Sequence, residues 1–390
     1  MKKFLDLGLQ PLANSYVPKK NLHLKEKKFK LILGFNPKNY LVSILNTVPK
    51  EKMFNKDYPY KSSESKTMKI SFMKLANKIK KRFKPKFLVE IGCNDGAFIN
   101  NFNKKKIVGV EPCENLARIT KKKGYKVYSE YWNLRLSKKI TKDRKVDVIY
   151  SANTLSHITN YSEIFNAIKK SLSKKGILIL EDPSLLNCIK NVAYDQFYCE
   201  HVYVFSTIAL KNILDKFDLE IFDIENIKTH GGSNRYYIKN KDNSSFKINI
   251  SVKRELKKEL KYGLQKFSTY TKFANRVKKS KKKLLQIFNQ IRNKKVIGYG
   301  ATAKSCTVLN YCNINNKHIS FFYDTTSFKI NKYLPGTKIK IKKYKKLTNK
   351  DADYVFLGAW NFKSEIFNKE RLYIKNGGRF ITHIPFPRII

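Results

Sequence analysis

Phe87-Leu88-Val89-Glu90-Ile91-Gly92-Cys93-Asn94-Asp95-Gly96 is an apolar run that ends in an acid and then opens into a loop bracketed by two glycines. Such a run reads as a buried parallel strand, and glycine at its end lets a ligand approach the backbone because no Cβ intervenes. Nineteen residues after Gly92, Glu111 closes the next apolar run, Ile107-Val108-Gly109-Val110, and is followed by Pro112. A carboxylate at that strand end can accept both hydroxyls of a ribose. The loop is not the G-x-G-x-x-G of pyrophosphate binders, whose helix N-terminus must face two phosphates. A phosphate-free nucleoside fits the leaner loop, which favours S-adenosylmethionine (SAM) over NAD. Glu90, Gly92, Asn94, Asp95, Gly96, Glu111 and Pro112 are therefore expected at the cofactor. Asn153 and His157 are expected to face the same crevice from the end of the following strand, Val146-Asp147-Val148-Ile149-Tyr150.

Working outward, Gly176-Ile177-Leu178-Ile179-Leu180 continues the series of short apolar runs separated by helix-length polar segments. Alternating strands and helices of this kind predict a Rossmann-like α/β domain over residues 81–245. Before it, Pro11, Pro18, Pro37, Pro49 and Pro59 punctuate a short-patterned segment, an irregular cap over 1–80. After it, Leu256, Leu260, Leu264, Phe267, Phe273, Val277, Leu284, Phe288 and Ile291 recur at helical spacing without a proline, predicting a connector of one or two helices over 246–293. Lys295-Val296-Ile297-Gly298-Tyr299-Gly300 then starts a second strand-turn-helix series, so 294–390 reads as another Rossmann-like domain.

The formal charge is +51, with 81 Lys and Arg against 30 Asp and Glu. Only 11 of those 81 are Arg, and the lysines spread along the whole chain among abundant Asn, Ile, Phe and Tyr. That texture follows codon bias better than a nucleic-acid footprint, although the field would still draw in an anionic substrate. The six cysteines form no C-x-x-C pair, which writes neither a disulfide framework nor a zinc site and suits a reducing, cytoplasmic setting. No apolar run approaches the roughly 18 to 20 residues of a membrane span, so no membrane partner is expected. Length allows two or three domains; the sequence leaves monomer or dimer open.

Several unusual stretches occur together and in order. They are Leu5-Asp6-Leu7-Gly8-Leu9-Gln10-Pro11-Leu12-Ala13-Asn14, Asp57-Tyr58-Pro59-Tyr60-Lys61-Ser62-Ser63, Glu90 to Gly96, Tyr198-Cys199-Glu200-His201 and His230-Gly231-Gly232-Ser233. Gly298-Tyr299-Gly300-Ala301-Thr302-Ala303-Lys304, Tyr333-Leu334-Pro335-Gly336-Thr337 and Ala359-Trp360-Asn361-Phe362 complete the set. Jointly they resemble the SAM-dependent sugar C-methyltransferases. The resemblance implies an N-terminal zinc-binding module, a central SAM-binding methyltransferase domain and a C-terminal domain that grips the nucleotide of the substrate. It implies methylation of a carbon next to the ketone of a nucleotide-linked 4-keto-deoxy-sugar. Two departures stand out. The cysteine pairs of the zinc module are missing, Phe35, Asn36, Lys38 and Asn39 standing at the second of them, so a zinc-free vestige is expected. Cys199 stands where many relatives carry histidine.

A ketone acidifies the neighbouring C–H enough for a histidine to remove the proton, if the enolate charge is stabilised as it forms. His201 is the candidate base and Glu200 its tuning neighbour, with Tyr198, Tyr60 or His157 as donors to the enolate oxygen and in-line methyl transfer to follow. In the C-terminal domain Gly298, Gly300, Ala301 and Lys304 could face a diphosphate and Asp324 a ribose, with Arg235 as a further substrate contact. His23, His318 and His383 are read as structural. A Glu-His pair alone is more often merely satisfied, and C-terminal glycines often serve packing. Two rival functions remain at this level: a nucleic-acid methyltransferase, and a non-catalytic sugar-nucleotide-binding relic.

Overall fold

The computed structural model describes residues 1–390. The chain opens with an antiparallel hairpin of β1 (Lys2–Pro11) and β2 (Lys28–Phe35), joined by β3 (Val42–Ile44). Its inner face, Leu5, Leu7, Leu31, Leu33, Phe35, Val42 and Ile44, is buried in the largest core of the molecule. Phe35 stacks on Tyr270 with ring centres 4.6 Å apart. Aromatic packing thus holds Phe35, the first of the positions where the resemblance implies metal ligands.

After a single turn, α1 (Lys50–Met53), comes α2 (Lys66–Phe83). Ser65 caps it by accepting Met68 N–H; Lys84, in the left-handed region before Pro85, ends it. Met68, Phe72, Leu75, Ala76 and Ile79 form its apolar stripe and pack against the second sheet. So α2, placed in the expected 1–80 cap, belongs by its contacts to the domain that follows.

That domain is built from β4 (Leu88–Ile91), β5 (Ile107–Val110), α3 (Glu114–Lys122), β6 (Lys126–Tyr128), α4 (Leu134–Ile140), β7 (Val146–Ala152), α5 (Tyr161–Ser171) and β8 (Leu172–Pro183). Next come α6 (Leu185–Lys190), β9 (Tyr203–Val204), α7 (Thr207–Leu214), β10 (Leu219–Ile227) and β11 (Ser233–Asn240). Its sheet runs β10-β11-β8-β7-β4-β5-β6, parallel from β8 to β6, with β11 antiparallel to both of its neighbours, β8 and β10. The order reverses between β4 and β7, which opens a crevice at their carboxyl ends. β9 leaves this sheet and pairs with β3 instead, so the N-terminal module takes its fourth strand from the residues just beyond His201.

The connector is two helices, α8 (Ile250–Tyr262) and α9 (Phe267–Gln290), separated at Gly263 with φ +85°. The wholly buried Glu259 of α8 accepts Thr207 and Ile208 N–H, satisfying the start of α7. The last sheet is made by β12 (Val296–Tyr299), α10 (Ala303–Tyr311), β13 (Phe321–Asp324), β14 (Tyr333–Leu334), β15 (Ile339–Lys343), β16 (Tyr354–Leu357), α11 (Lys363–Lys369), α12 (Arg371–Lys375), β17 (Arg379–Thr382) and β18 (Arg388–Ile389). Its order is β14-β15-β13-β12-β16-β17-β18, with a second reversal between β12 and β16. A single cluster of 41 buried residues joins the N-terminal sheet, α6, α9 and this last sheet. No helix is long and apolar enough to cross a membrane, and all six cysteines are free and buried.

Candidate active site

The carboxyl ends of β4 and β7 open into a cleft of about 600 Å³ walled by the N-terminal module, the central domain and the C-terminal domain. On the central wall stand Glu90, Gly92, Asn94, Glu111, Pro112 and Asn153. Gly92 has φ +76°, and a Cβ there would come within 2.1 Å of Thr154 Oγ1, so the loop admits no larger residue. Asn94 and Asn153 also hold positive φ, a concentration of strained backbone common at ligand sites. Glu111 accepts Asn94 N–H at 2.8 Å and Cys113 N–H at 2.9 Å, one on each oxygen, and each oxygen keeps a second lone pair. Burial raises its pKa above the ordinary carboxylate value, the two amides opposing. Glu90 Oε2 and Asn153 Oδ1 are buried without partners. Unpaired acceptors beside a carboxylate fit the hydroxyls and amino groups of an adenosyl ligand.

Asp95 and Gly96 are not on that wall. Asp95 accepts from Ser63 N–H and Ser62 Oγ at 3.1 Å, and from Ser63 Oγ. A Cβ on Gly96 would meet Thr120 Oγ1 at 2.9 Å. Together with Asn94, whose side chain bonds Ser62 N–H and Tyr60 carbonyl, Asp95 straps the Tyr58 to Ser63 segment over the crevice. Asp95 thus holds the cover of the site, and Gly96 gives room to Thr120.

His201 sits at the floor, Nδ1 at 2.7 Å from the Gln196 carbonyl and Nε2 at 2.6 Å from the Tyr198 hydroxyl. A carbonyl only accepts, so Nδ1 carries the proton and Nε2 accepts from Tyr198. Burial, reinforced by His157, holds the His201 pKa well below the usual value. His157 stacks on His201 with ring centres 5.2 Å apart and on Phe54 at 5.3 Å; burial pushes its pKa down to about 4. Both rings are therefore neutral near pH 7. Tyr60 lines the cleft. Glu200 does not: its carboxylate turns into a second cavity of about 490 Å³, where it accepts Asn14 Nδ2–H at 2.8 Å and Tyr58 O–H at 3.0 Å. Burial lifts its pKa to about 7. Tyr58, not singled out in the sequence, lines both spaces and separates Glu200 from the cleft. Cys199 packs under α1 with Val48 and Met53, away from the cleft.

The C-terminal wall contributes Gly300, Lys304 and Asp324. Lys304 is buried, which lowers its pKa, Asp195 pulling the other way. Five expected ligand residues have structural partners of their own. Asp324 accepts Ala301 N–H at 2.9 Å and Lys329 Nζ at 3.3 Å, so the Ala301 amide is already capped and faces no phosphate. A Cβ on Gly298 would lie 2.4 Å from the Phe322 ring, and one on Gly300 2.5 Å from Ala359 Cβ, so close packing demands both glycines. Arg235 is a clear departure: its guanidinium bonds Glu181 at 2.9 and 3.0 Å and Glu225 at 2.9 Å, a buried ion-pair network off the cleft.

No group of three or more His, Cys, Asp or Glu is arranged to hold a metal. Residues 1–54 contain no cysteine and one histidine, His23, so the residues present do not fit a zinc site of the usual Cys and His kind.

Comparison with known proteins follows the same three-part order. Residues 1–54 match the family model "Putative zinc binding domain", residues 66–224 the model "Methyltransferase domain", and residues 228–385 the model "C-methyltransferase C-terminal domain". The C-methyltransferase NovU of Streptomyces niveus is 27% identical over 394 aligned positions, which cover 99% of this chain and 93% of that protein. Among solved structures, a SAM-dependent methyltransferase of Thermotoga maritima, a possible histamine N-methyltransferase, aligns at 20% identity and TM-score 0.35, covering 43% of this chain and 87% of its own. Magnesium protoporphyrin IX methyltransferase of Synechocystis PCC 6803 with bound SAM aligns at 12% identity and TM-score 0.33, covering 44% and 78%.

Proposed function

Since the chain is a SAM-dependent methyltransferase with a C-methyltransferase C-terminal domain, we propose that it methylates the carbon beside the ketone of a nucleotide-linked keto-deoxy-sugar. The observation that carries this reading is the Tyr198–His201–Gln196 chain of hydrogen bonds at the base of the cleft. SAM, when bound, supplies an activated methyl group; Glu90, Gly92, Asn94, Glu111, Pro112 and Asn153 would hold it. The protein's part is to make the sugar carbon nucleophilic. Tyr198 O–H turns from Nε2 to the ketone oxygen, where it stabilises the charge that develops, and this frees the one lone pair of His201 Nε2. Nε2 then takes the proton from the carbon next to the ketone, and the C–H electron pair becomes the enolate. Nδ1–H stays on the Gln196 carbonyl, which supports the imidazolium charge.

Neutral His157 packs on one face of the base, while Tyr58, Tyr60 and the strap on Asn94 and Asp95 cover the crevice. Lys304 is a buried cation of the C-terminal wall that faces the anionic end of the substrate, within a strongly positive overall field. The reading includes a cytoplasmic enzyme, working as monomer or dimer, without zinc and without a nucleic-acid partner. Incubation with labelled SAM and a panel of dTDP-, GDP- and CDP-linked 4-keto-sugars tests it. Transfer to at least one of them is expected; transfer to none, with SAM bound, refutes it.

A further inference from the structure

One turn of chain, Tyr194–Gln196, lies between the base and the C-terminal domain and has no role in the chemistry above. Asp195 is wholly buried, and its Oδ2 accepts Trp360 Nε1–H at 2.6 Å and His383 Nε2–H at 2.8 Å. Both donors come from the C-terminal domain, Trp360 just after β16 and His383 just after β17. The next residue, Gln196, accepts His201 Nδ1–H on its carbonyl and donates its side-chain amide to the His230 carbonyl. Two adjacent residues therefore grip the C-terminal domain on one side and the orientation and tautomer of the base on the other.

The fit around Trp360 is close. A Cβ on Gly231 would lie 2.4 Å from the indole, so the ring rests directly on the His230-Gly231 turn that Gln196 holds. The Lys304 ammonium lies 5.9 Å from the ring centre, at the cleft wall. Asp195 Oδ1 accepts no hydrogen bond from the protein. Burying a carboxylate with one oxygen unsatisfied is costly, and packing alone gives no reason to keep it.

We propose that Asp195 is a positioning residue that couples the C-terminal domain's hold on the nucleotide end of the substrate, where Lys304 stands, to the geometry of the His201 base. The inference rests on the proposed function. Substrate contacts remote from the reacting carbon accelerate a reaction when their binding energy is used to set the catalytic geometry. The Trp360–Asp195–Gln196–His201 chain is a direct physical route for that transfer.

The test compares methyl transfer from labelled SAM to a dTDP-linked 4-keto-deoxy-sugar with transfer to the same sugar as its nucleoside-free 1-phosphate. In the wild-type enzyme, removing the nucleoside should lower kcat by roughly 10-fold or more. Trp360→Phe keeps a ring on Gly231 but removes the N–H, and Asp195→Ala removes the acceptor. In both, kcat on the two substrates should converge to within about 3-fold, while SAM affinity and KM for the nucleotide sugar stay within about 2-fold. Asp195→Asn, which keeps an oxygen for both donors, should restore most of the difference. Equal losses on both substrates, or losses in KM alone, overturn the coupling and leave the proposed function standing. A wild-type enzyme that methylates no keto sugar overturns the proposed function, and the coupling with it.

Discussion

Replacing Glu111 by alanine removes three interactions at once, two of them visible in the fold. The carboxylate takes the Asn94 and Cys113 amides at 2.8 and 2.9 Å, and it is the acceptor proposed for the ribose of SAM. A hydrogen bond to a charged group contributes about 1.5 to 3 kcal/mol. Water entering from the cleft satisfies the two freed amides in the ligand-free protein, so stability should fall by only about 1 to 3 kcal/mol. The ribose hydroxyls lose their acceptor inside the closed complex, where SAM affinity should weaken by about 1.5 to 3 kcal/mol, roughly 10- to 150-fold in Kd. Titration calorimetry with SAM, run beside thermal unfolding of the same preparation, separates the two effects. A folded variant that binds SAM as the wild type does refutes the assignment of Glu111 to the cofactor.

Three further outcomes follow from the same geometry. Burial lifts the Glu200 carboxyl from 4.5 to about 7. The folded state therefore keeps a proton that the unfolded state releases, and this contribution to stability is lost as the pH rises through that window. Glu200→Gln should escape the loss, gaining up to about 3 kcal/mol relative to wild type from the acid to the neutral end, as read by denaturant unfolding; a pH-independent difference contradicts the raised pKa. Elemental analysis should find far less than one zinc per chain, and a chelator should leave Tm unchanged, because Phe35, Asn36, Lys38 and Asn39, none of them a usual zinc ligand, stand where the resemblance implies ligands; about one zinc per chain refutes this. Tyr198→Phe, which removes the hydroxyl 2.6 Å from His201 Nε2, should slow single-turnover methyl transfer by about 10- to 100-fold with SAM affinity unchanged, and an unchanged rate removes Tyr198 from the chemistry.

The central strands of both Rossmann-like sheets were legible in the sequence because they are apolar runs buried on both faces, as at Leu88–Ile91 and Val355–Leu357, whereas outer strands such as Leu219–Ile227 and Ile339–Lys343 alternate with more exposed residues and were not. The acid-bearing ends of β4 and β5 were legible for the same reason: Glu90 and Glu111 interrupt a run where only a ligand or a cap accounts for charge. Contacts between distant segments were not legible. Asp95 looks like a loop ligand until Ser62 and Ser63 are seen to occupy it, and Glu200 looks like a partner of its neighbour His201 until Asn14 and Tyr58 turn it away. Arg235 belongs to the same class, since Glu181 and Glu225 reach it across strands. Asn14 and Tyr58 lie inside stretches that carry the family resemblance, the one available signal for them. Asp195 lies in none of those stretches, and its partners Trp360 and His383 are 165 and 188 residues away.

The most direct measurement follows the methyl group from ¹³C-methyl-labelled SAM into the sugar by NMR, with wild type and His201→Asn side by side. The account predicts a carbon-bound methyl beside the carbonyl in the wild-type product, and roughly 10²-fold slower transfer in the variant with SAM binding intact. An oxygen-bound methyl, or a His201→Asn enzyme that transfers at nearly the wild-type rate, would contradict it.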